Sequence, residues 1–254
     1  MTVLLLGGTG EARALAALLV ADGVDVLSSL AGRVSRPALP AGRVRVGGFG
    51  GVDGLATFLV EHRVAAVVDA THPFAATISA NAASACTATG TPVLRLARAG
   101  WSTHPDTDRW TWVDSVADAL TVPGDRPLLT TGRQSLGEFL PWADRAVLAR
   151  VVDPPELQLP PAWRLLRSRG PYDLPGERAL LHDHQADLLV TKDSGGLLTA
   201  AKLDAARELD VQVVVVRRPA SPTTPSVGDV REAKRWVLAL GPRPAERSGP
   251  TLLP

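Results

Sequence analysis

Short apolar runs alternate along the chain with longer stretches in which apolar positions recur every three to four residues. The runs predict buried strands and the longer stretches amphipathic helices. In the first half the strands are TVLLLGG (2–8), VDVLSS (24–29), RVRVGGFGG (43–51), VAAVVDATHPF (64–74) and TPVLRLAR (91–98). Between them EARALAALLVADG (11–23), VDGLATFLVEHR (52–63) and AATISANAASACTATG (75–90) have helical spacing, with glycine stops at Gly23 and Gly90. A Pro/Gly stretch, TVPGDRP (121–127), reads as a linker, after which the alternation restarts. PLLTTG (127–132), RAVLARVV (145–152), WRLLRSRG (163–170), ADLLVTKDSGG (186–196) and VQVVVVRRP (211–219) read as strands. RQSLGEFLPWA (133–143), ERALLHDHQ (177–185), LLTAAKLDAARELD (197–210) and DVREAKRWVLAL (229–240) read as helices, and DPPELQLPP (153–161) as a proline-rich loop. Such alternation predicts α/β architecture with mostly parallel sheets covered on both faces. Ligands in such sheets bind beyond the carboxyl ends of the strands. The domains expected are 1–122 and 123–241, followed by a loose tail over 242–254.

Composition narrows the class. Hydrophobic residues make up 45% of 254 and charged residues 21%, enough for packed cores. A net charge of +1 argues against a nucleic-acid partner. Cys86 is the single cysteine, so neither a disulfide nor a cysteine metal site forms within the chain, which fits a reducing cytoplasm. Its small-residue helix predicts a buried, inert thiol. No apolar run reaches about 18 residues without a charge, so no membrane span is expected, and the N-terminus lacks the basic region of a signal peptide. Lysine occurs only at 192, 202 and 234 in an arginine-rich chain, which draws attention to those positions.

Candidate chemistry lies where strands run into helices. Gly8-Thr9-Gly10-Glu11-Ala12-Arg13 sits between the first strand and helix. Glycines there let the backbone approach a pyrophosphate, and the helix start offers free N–H groups. Arg13 stands where a dinucleotide fingerprint has its third glycine, one turn into the helix and within reach of a phosphate. One βα unit later come Ser28 and Ser29, then Arg33, in place of the acidic residue that holds an NAD ribose. Small hydroxyls with an arginine suit a 2′-phosphate, hence NADPH. Gly47, Gly48 and Phe49 in GGFGG either line a nucleotide or make a turn. Asp69, Thr71 and His72 in VVDATHPFA bring three polar groups to the end of an inner strand.

The second half repeats this form. Thr130 and Arg133 lie in TTGRQS; Lys192, Asp193, Ser194 and Gly195 in VTKDSGG; Lys202 follows on the next helix; Arg217 and Arg218 end the last long strand. Together these clusters predict a basic rim that binds a polyanion. His182 and His184 in HDH diverge on a helix and read as a solvated helix end, and no metal site is expected.

LLLGGTGEARALA, VVDATHPFAATISANAASAC, PVLRLARAGW, LLTTGR and LLVTKDSGG with a following lysine, in this order, resemble the precorrin-6A reductase family of cobalamin biosynthesis, out to about residue 220. The resemblance implies an NADPH-dependent reductase that reduces one double bond of precorrin-6A to give precorrin-6B. It also implies two Rossmann-like domains with the substrate in the cleft between them. Precorrin-6A carries a rim of carboxylates, which suits distributed arginine and lysine. Asp69, His72, Lys192 and Asp193 are then the candidates for proton donation or positioning, with water as a further proton source. Another NADPH-dependent reductase acting on a smaller anion, or a non-catalytic nucleotide- or tetrapyrrole-binding protein, are the alternative readings.

Overall fold

A computed structural model describes residues 1–32, 38–196 and 199–241. The chain forms two compact units, one of Met1–Ala97 with the chain from Ser221 onward, the other of Arg98–Ala220. The first unit opens with Thr2–Leu6 (β1), Gly10–Ala21 (α1), Asp25–Leu30 (β2), Arg43–Val46 (β3), Gly51–Glu61 (α2), Val64–Asp69 (β4), Ala76–Thr89 (α3) and Val93–Leu96 (β5). The second holds Thr111–Val113 (β6), Val116–Ala119 (α4), Pro127–Leu129 (β7), Leu148–Val151 (β8), Arg164–Arg167 (β9), Leu174–His184 (α5), Leu188–Lys192 (β10), Ala201–Glu208 (α6) and Gln212–Val216 (β11). Ser226–Val227 (β12) and Val230–Ala239 (α7) complete the first unit.

Both six-stranded sheets are parallel, ordered β12-β5-β4-β1-β2-β3 and β6-β11-β10-β7-β8-β9. Each is the doubly wound order of a dinucleotide-binding fold. The first strand of each order comes from an unexpected part of the chain. β6 follows β5 in sequence but pairs with β11; β12 follows β11 but pairs with β5. The chain therefore changes unit at 97/98 and 220/221, not at the linker of 121–127. Strands of two and three residues are too short to show a period, so neither β6 nor β12 was visible as a pattern. The expected helix 133–143 is a 3₁₀ segment, Arg133–Trp142, containing Gly137 and Pro141, which disfavour an α-helix.

Strand alternation sorts the core of the first unit. Val3, Leu5, Val26, Val68 and Leu94 pack with Leu15 and Leu19 of α1 and Ala233 and Val237 of α7. Leu4, Leu6, Leu27 and Val67 pack with residues of α2 and α3, Cys86 among them. Burial pushes the Cys86 thiol up to about 12, which keeps it protonated and unreactive. In the second unit Leu128, Leu148, Leu189, Val213 and Val215 pack with Leu181, Leu203, Trp101 and Trp110.

The second unit also buries charge. Arg150 on β8 pairs with Glu177 in the first turn of α5, both side chains almost fully buried, and the guanidinium lies 4.0 Å from the Tyr172 ring centroid. Lys202 on α6 is 3% exposed. Its Nζ donates to the Thr199 carbonyl at 2.6 Å and lies 4.5 Å from the Trp101 ring centroid. Burial first, then the positive charges of Arg150 and Arg98, lower its pKa to about 7, with Glu177 opposing.

Two outcomes follow from these charges. Glu177→Ala leaves Arg150 buried without its partner and should cost about 3–5 kcal/mol in urea unfolding. Lys202 has the opposite linkage sign to a stabilising pair. An unfolded lysine holds its proton up to 10.5, the folded one only to about 7. Between those values the unfolded state binds more protons, so stability rises with pH; below them the cost of the buried charge is present in full. Unfolding across this range should show wild type gaining up to about 1.4 kcal/mol per pH unit relative to Lys202→Met. Parallel profiles for the two proteins would contradict it.

Candidate active site

In the first unit the winding direction reverses between β1 and β4, so a crevice opens beyond their carboxyl ends. Gly8 after β1 has φ 112°, a region open to glycine, and an added Cβ there would meet nothing within 4 Å. Thr9 caps α1, its Oγ1 accepting from the Ala12 N–H at 3.1 Å. The same hydroxyl donates to the Ala70 carbonyl at 2.8 Å, tying the glycine turn to the end of β4. Gly10, Glu11 and Arg13 form the first turn of α1. Open space over Gly8 and a helix N-terminus behind it fit the pyrophosphate of a dinucleotide.

The two serines at the end of β2 have different surroundings. Successive strand residues face opposite sides of a sheet. Ser28 is 1% exposed and its Oγ has no hydrogen-bond partner among the described residues. Ser29 stands in register with Arg45 on β3 and accepts from its Nη1 at 3.0 Å. Arg45 also donates to the carbonyls of Gly47 at 3.1 Å and Gly48 at 3.0 Å, and lies 3.8 Å from the Phe49 ring centroid. Arg33 lies outside the described residues.

At the end of β4, Asp69 is buried and paired with the buried Arg95 of β5. Its Oδ1 accepts from the Thr71 N–H at 3.1 Å and Oγ1 at 2.7 Å, while Arg95 Nη1 also donates to Ser79 Oγ at 2.6 Å. This carboxylate shapes the turn into α3. His72 Nδ1 accepts from the Phe74 N–H at 3.2 Å, which puts the proton of a neutral ring on Nε2.

The second unit reverses between β7 and β10. Thr130 bonds the Val190 carbonyl through its N–H at 2.9 Å and its hydroxyl at 3.2 Å. Arg133 donates to the Pro154 carbonyl at 3.2 Å. Lys192 ends β10 half-buried; burial lowers its pKa and Glu138 opposes. Asp193 accepts the Trp101 N–H on Oδ1 at 2.8 Å and faces Arg218 Nε from Oδ2 at 3.1 Å. Arg218 donates to the carbonyls of Asp193 at 2.8 Å and Arg98 at 2.9 Å, and Arg98 to that of Ser194 at 2.6 Å. Glycine is required on both sides of this junction. A Cβ on Gly100 would come within 2.6 Å of Asp193 Oδ2, and one on Gly195, with φ +61°, would strike the Ala99 carbonyl.

Lys192, Asp193, Ser194, Gly195 and Arg218 are thus gathered at one turn. Lys202, expected on the basic rim, is withdrawn into the core because α6 turns it toward Trp101. Arg217 points to Asp114, 3.2 Å away at the surface. The HDH stretch is not wholly solvated: His182 is exposed, but His184 is 4% exposed, and burial lowers its pKa. Sequence reasoning passed over Arg45, Arg95, Arg98 and Gly100. An arginine inside the otherwise apolar VLRL is itself a sign that a buried acid awaits it. His104, Asp106 and Asp204 bring potential metal-ligand atoms within 4.8 Å of one another. Arg207 already supplies the positive charge there, 3.5 Å from Asp106 and 3.3 Å from Asp204.

Comparison with known proteins agrees with this architecture. The family described as "Precorrin-6x reductase CbiJ/CobK" matches residues 2–238. A precorrin-6A reductase of Rhodococcus erythropolis is 50% identical, covering 94% of this chain and 98% of its own. One from Mycobacterium tuberculosis is 49% identical over 95% and 99%. A solved structure described as "CobK precorrin-6A reductase" superposes with a TM-score of 0.88 at 38% identity, over 96% of this chain and 98% of that one. With two doubly wound sheets, a glycine turn at the first crossing and a match over nearly its whole length, the chain belongs to the precorrin-6x reductase CbiJ/CobK family.

Proposed function

We propose that the chain reduces one C=C bond of precorrin-6A to give precorrin-6B, using NADPH. The family match supports the reductase activity, and the observation that carries the cofactor is the open glycine turn at the β1/β4 crossing. When bound, the nicotinamide supplies a hydride to one carbon of the macrocycle. The protein's task is to hold the two reactants in register and to deliver a proton to the neighbouring carbon.

Gly8, Thr9, Gly10, Glu11 and Arg13 form the pyrophosphate seat, with Ser29, Gly47, Gly48 and Phe49 toward the adenosine end and Thr71 and His72 at the end of β4. Ser28, in the interior, serves packing. The carboxylates of Asp69 and Asp193 are engaged by arginines and backbone N–H groups, which suits positioning rather than proton transfer. Thr130, Arg133, Ser194, Gly195 and Arg218 lie around the β7/β10 crossing, where the substrate's carboxylates would be met. Lys192 is our choice of proton donor: it ends an inner strand, and burial eases release of its proton. No helix among the described residues is long and apolar enough to cross a membrane, and we place the enzyme in the cytoplasm.

Mixing the protein with precorrin-6A and NADPH should consume NADPH, followed by absorbance; binding without turnover would sink the reductase assignment. Lys192→Ala should lower kcat by about 100-fold or more if it supplies the proton, with NADPH affinity unchanged. As an acid it must be protonated, so the wild-type rate should fall as pH rises through the lowered pKa. That limb should be missing in Lys192→Ala; its persistence would assign the proton elsewhere.

A further inference from the structure

Two arginines on one face of β3 have different partners. Arg43 forms a fork with Asp25, Nε to Oδ1 at 2.9 Å and Nη2 to Oδ2 at 2.7 Å, so its charge is neutralised. Arg45, two residues on and nearer the carboxyl end, has no acidic partner among the described residues. Three of the five N–H donors of its guanidinium go to Ser29 Oγ and to the Gly47 and Gly48 carbonyls. Among the described residues, the Nε–H and one N–H of Nη2 have no acceptor. The group lies 3.8 Å from the Phe49 ring centroid and 5.2 Å from that of Phe58, and those two rings pack edge to face at 5.1 Å. Burial lowers its pKa, the mark of a cation partly removed from water with no anion beside it.

Such a guanidinium is held in place but left with positive charge and donors to offer. The carbonyls and the aromatic face fix its plane, so little freedom is lost when an anion arrives. Its position is at the ends of β2 and β3, where a doubly wound sheet receives the adenosine ribose of a dinucleotide. A backbone carbonyl or a ribose hydroxyl would leave the charge uncompensated. A phosphate monoester would satisfy both the charge and the remaining donors.

We infer that Arg45, held by Ser29 and stacked on Phe49, binds the 2′-phosphate of the cofactor and sets its preference for NADPH over NADH. The inference rests on the nicotinamide cofactor reading above and assigns its selectivity to a residue the sequence did not single out. The test is calorimetric binding of NADP⁺, NAD⁺, 2′,5′-ADP and 5′-AMP, none of which requires turnover. Wild type should prefer NADP⁺ and 2′,5′-ADP over their unphosphorylated counterparts. Arg45→Gln should weaken those two by roughly 10- to 100-fold and leave NAD⁺ and 5′-AMP within about twofold. Arg45→Lys, which keeps the charge without the fork, should fall between and serves if the glutamine variant fails to fold. Equal weakening of all four probes would make Arg45 a turn-holding residue only and overturn the inference. Wild type that binds neither dinucleotide would instead overturn the cofactor reading itself.

Discussion

An aspartate–arginine contact, buried in the first unit and partly buried in the second, holds the carboxyl end of each sheet, and the local architecture of both crossings depends on it. In the first unit Asp69 ends β4 and Arg95 lies on the neighbouring β5. In the second Asp193 follows β10 and Arg218 follows the neighbouring β11. β4 and β10 hold the same place in their sheets. A carboxylate at that place is largely withdrawn from water, and burying it is costly unless it is paired and hydrogen-bonded. Its remaining lone pairs are filled by main-chain N–H groups, of Thr71 in one case and Trp101 in the other. The acid therefore specifies the path of the chain just beyond the strand, where a ligand would be met.

Commitment of both acids separates two kinds of residue at the strand ends. Groups whose polar atoms are used by the fold, such as Asp69, Asp193, Thr9 and Thr130, set positions. Groups that keep positive charge or donors available, Arg45 above all, are suited to receive an anion. Arg218 and Arg98 serve the fold too, because they hold main-chain carbonyls of the turn after β10. An anion approaching that turn meets cations already oriented by the backbone, which lowers the entropic cost of engaging them.

Strand and helix positions were legible in the sequence where a segment was long enough to show its period, the 3₁₀ segment Arg133–Trp142 excepted. β1, β2, β4, β10 and β11 each run five or six residues and read as buried strands; which helices cover each face came from the structure. Glycine at position 8 was read as leaving room for a close approach to the backbone, and the turn has open space there. Lys202 shows the limit. A lysine on a helix after a glycine turn reads as a surface cation, and only its neighbours Trp101, Arg150 and Glu177, distant in sequence, make it a buried one.

Period, glycine placement and charge type are local properties, so the sequence by itself determined the α/β class, the parallel sheets and the strand ends that carry polar groups. Pairing is not local. That β6 joins β11 and β12 joins β5, moving the borders of the units to 97/98 and 220/221, was decided by the tertiary structure, because two- and three-residue strands gain their stability only from the neighbour they meet. The same holds for Ser28 and Ser29. The sequence placed two hydroxyls at the end of β2, and the pleat with its register against β3 turned one into the interior and the other toward Arg45.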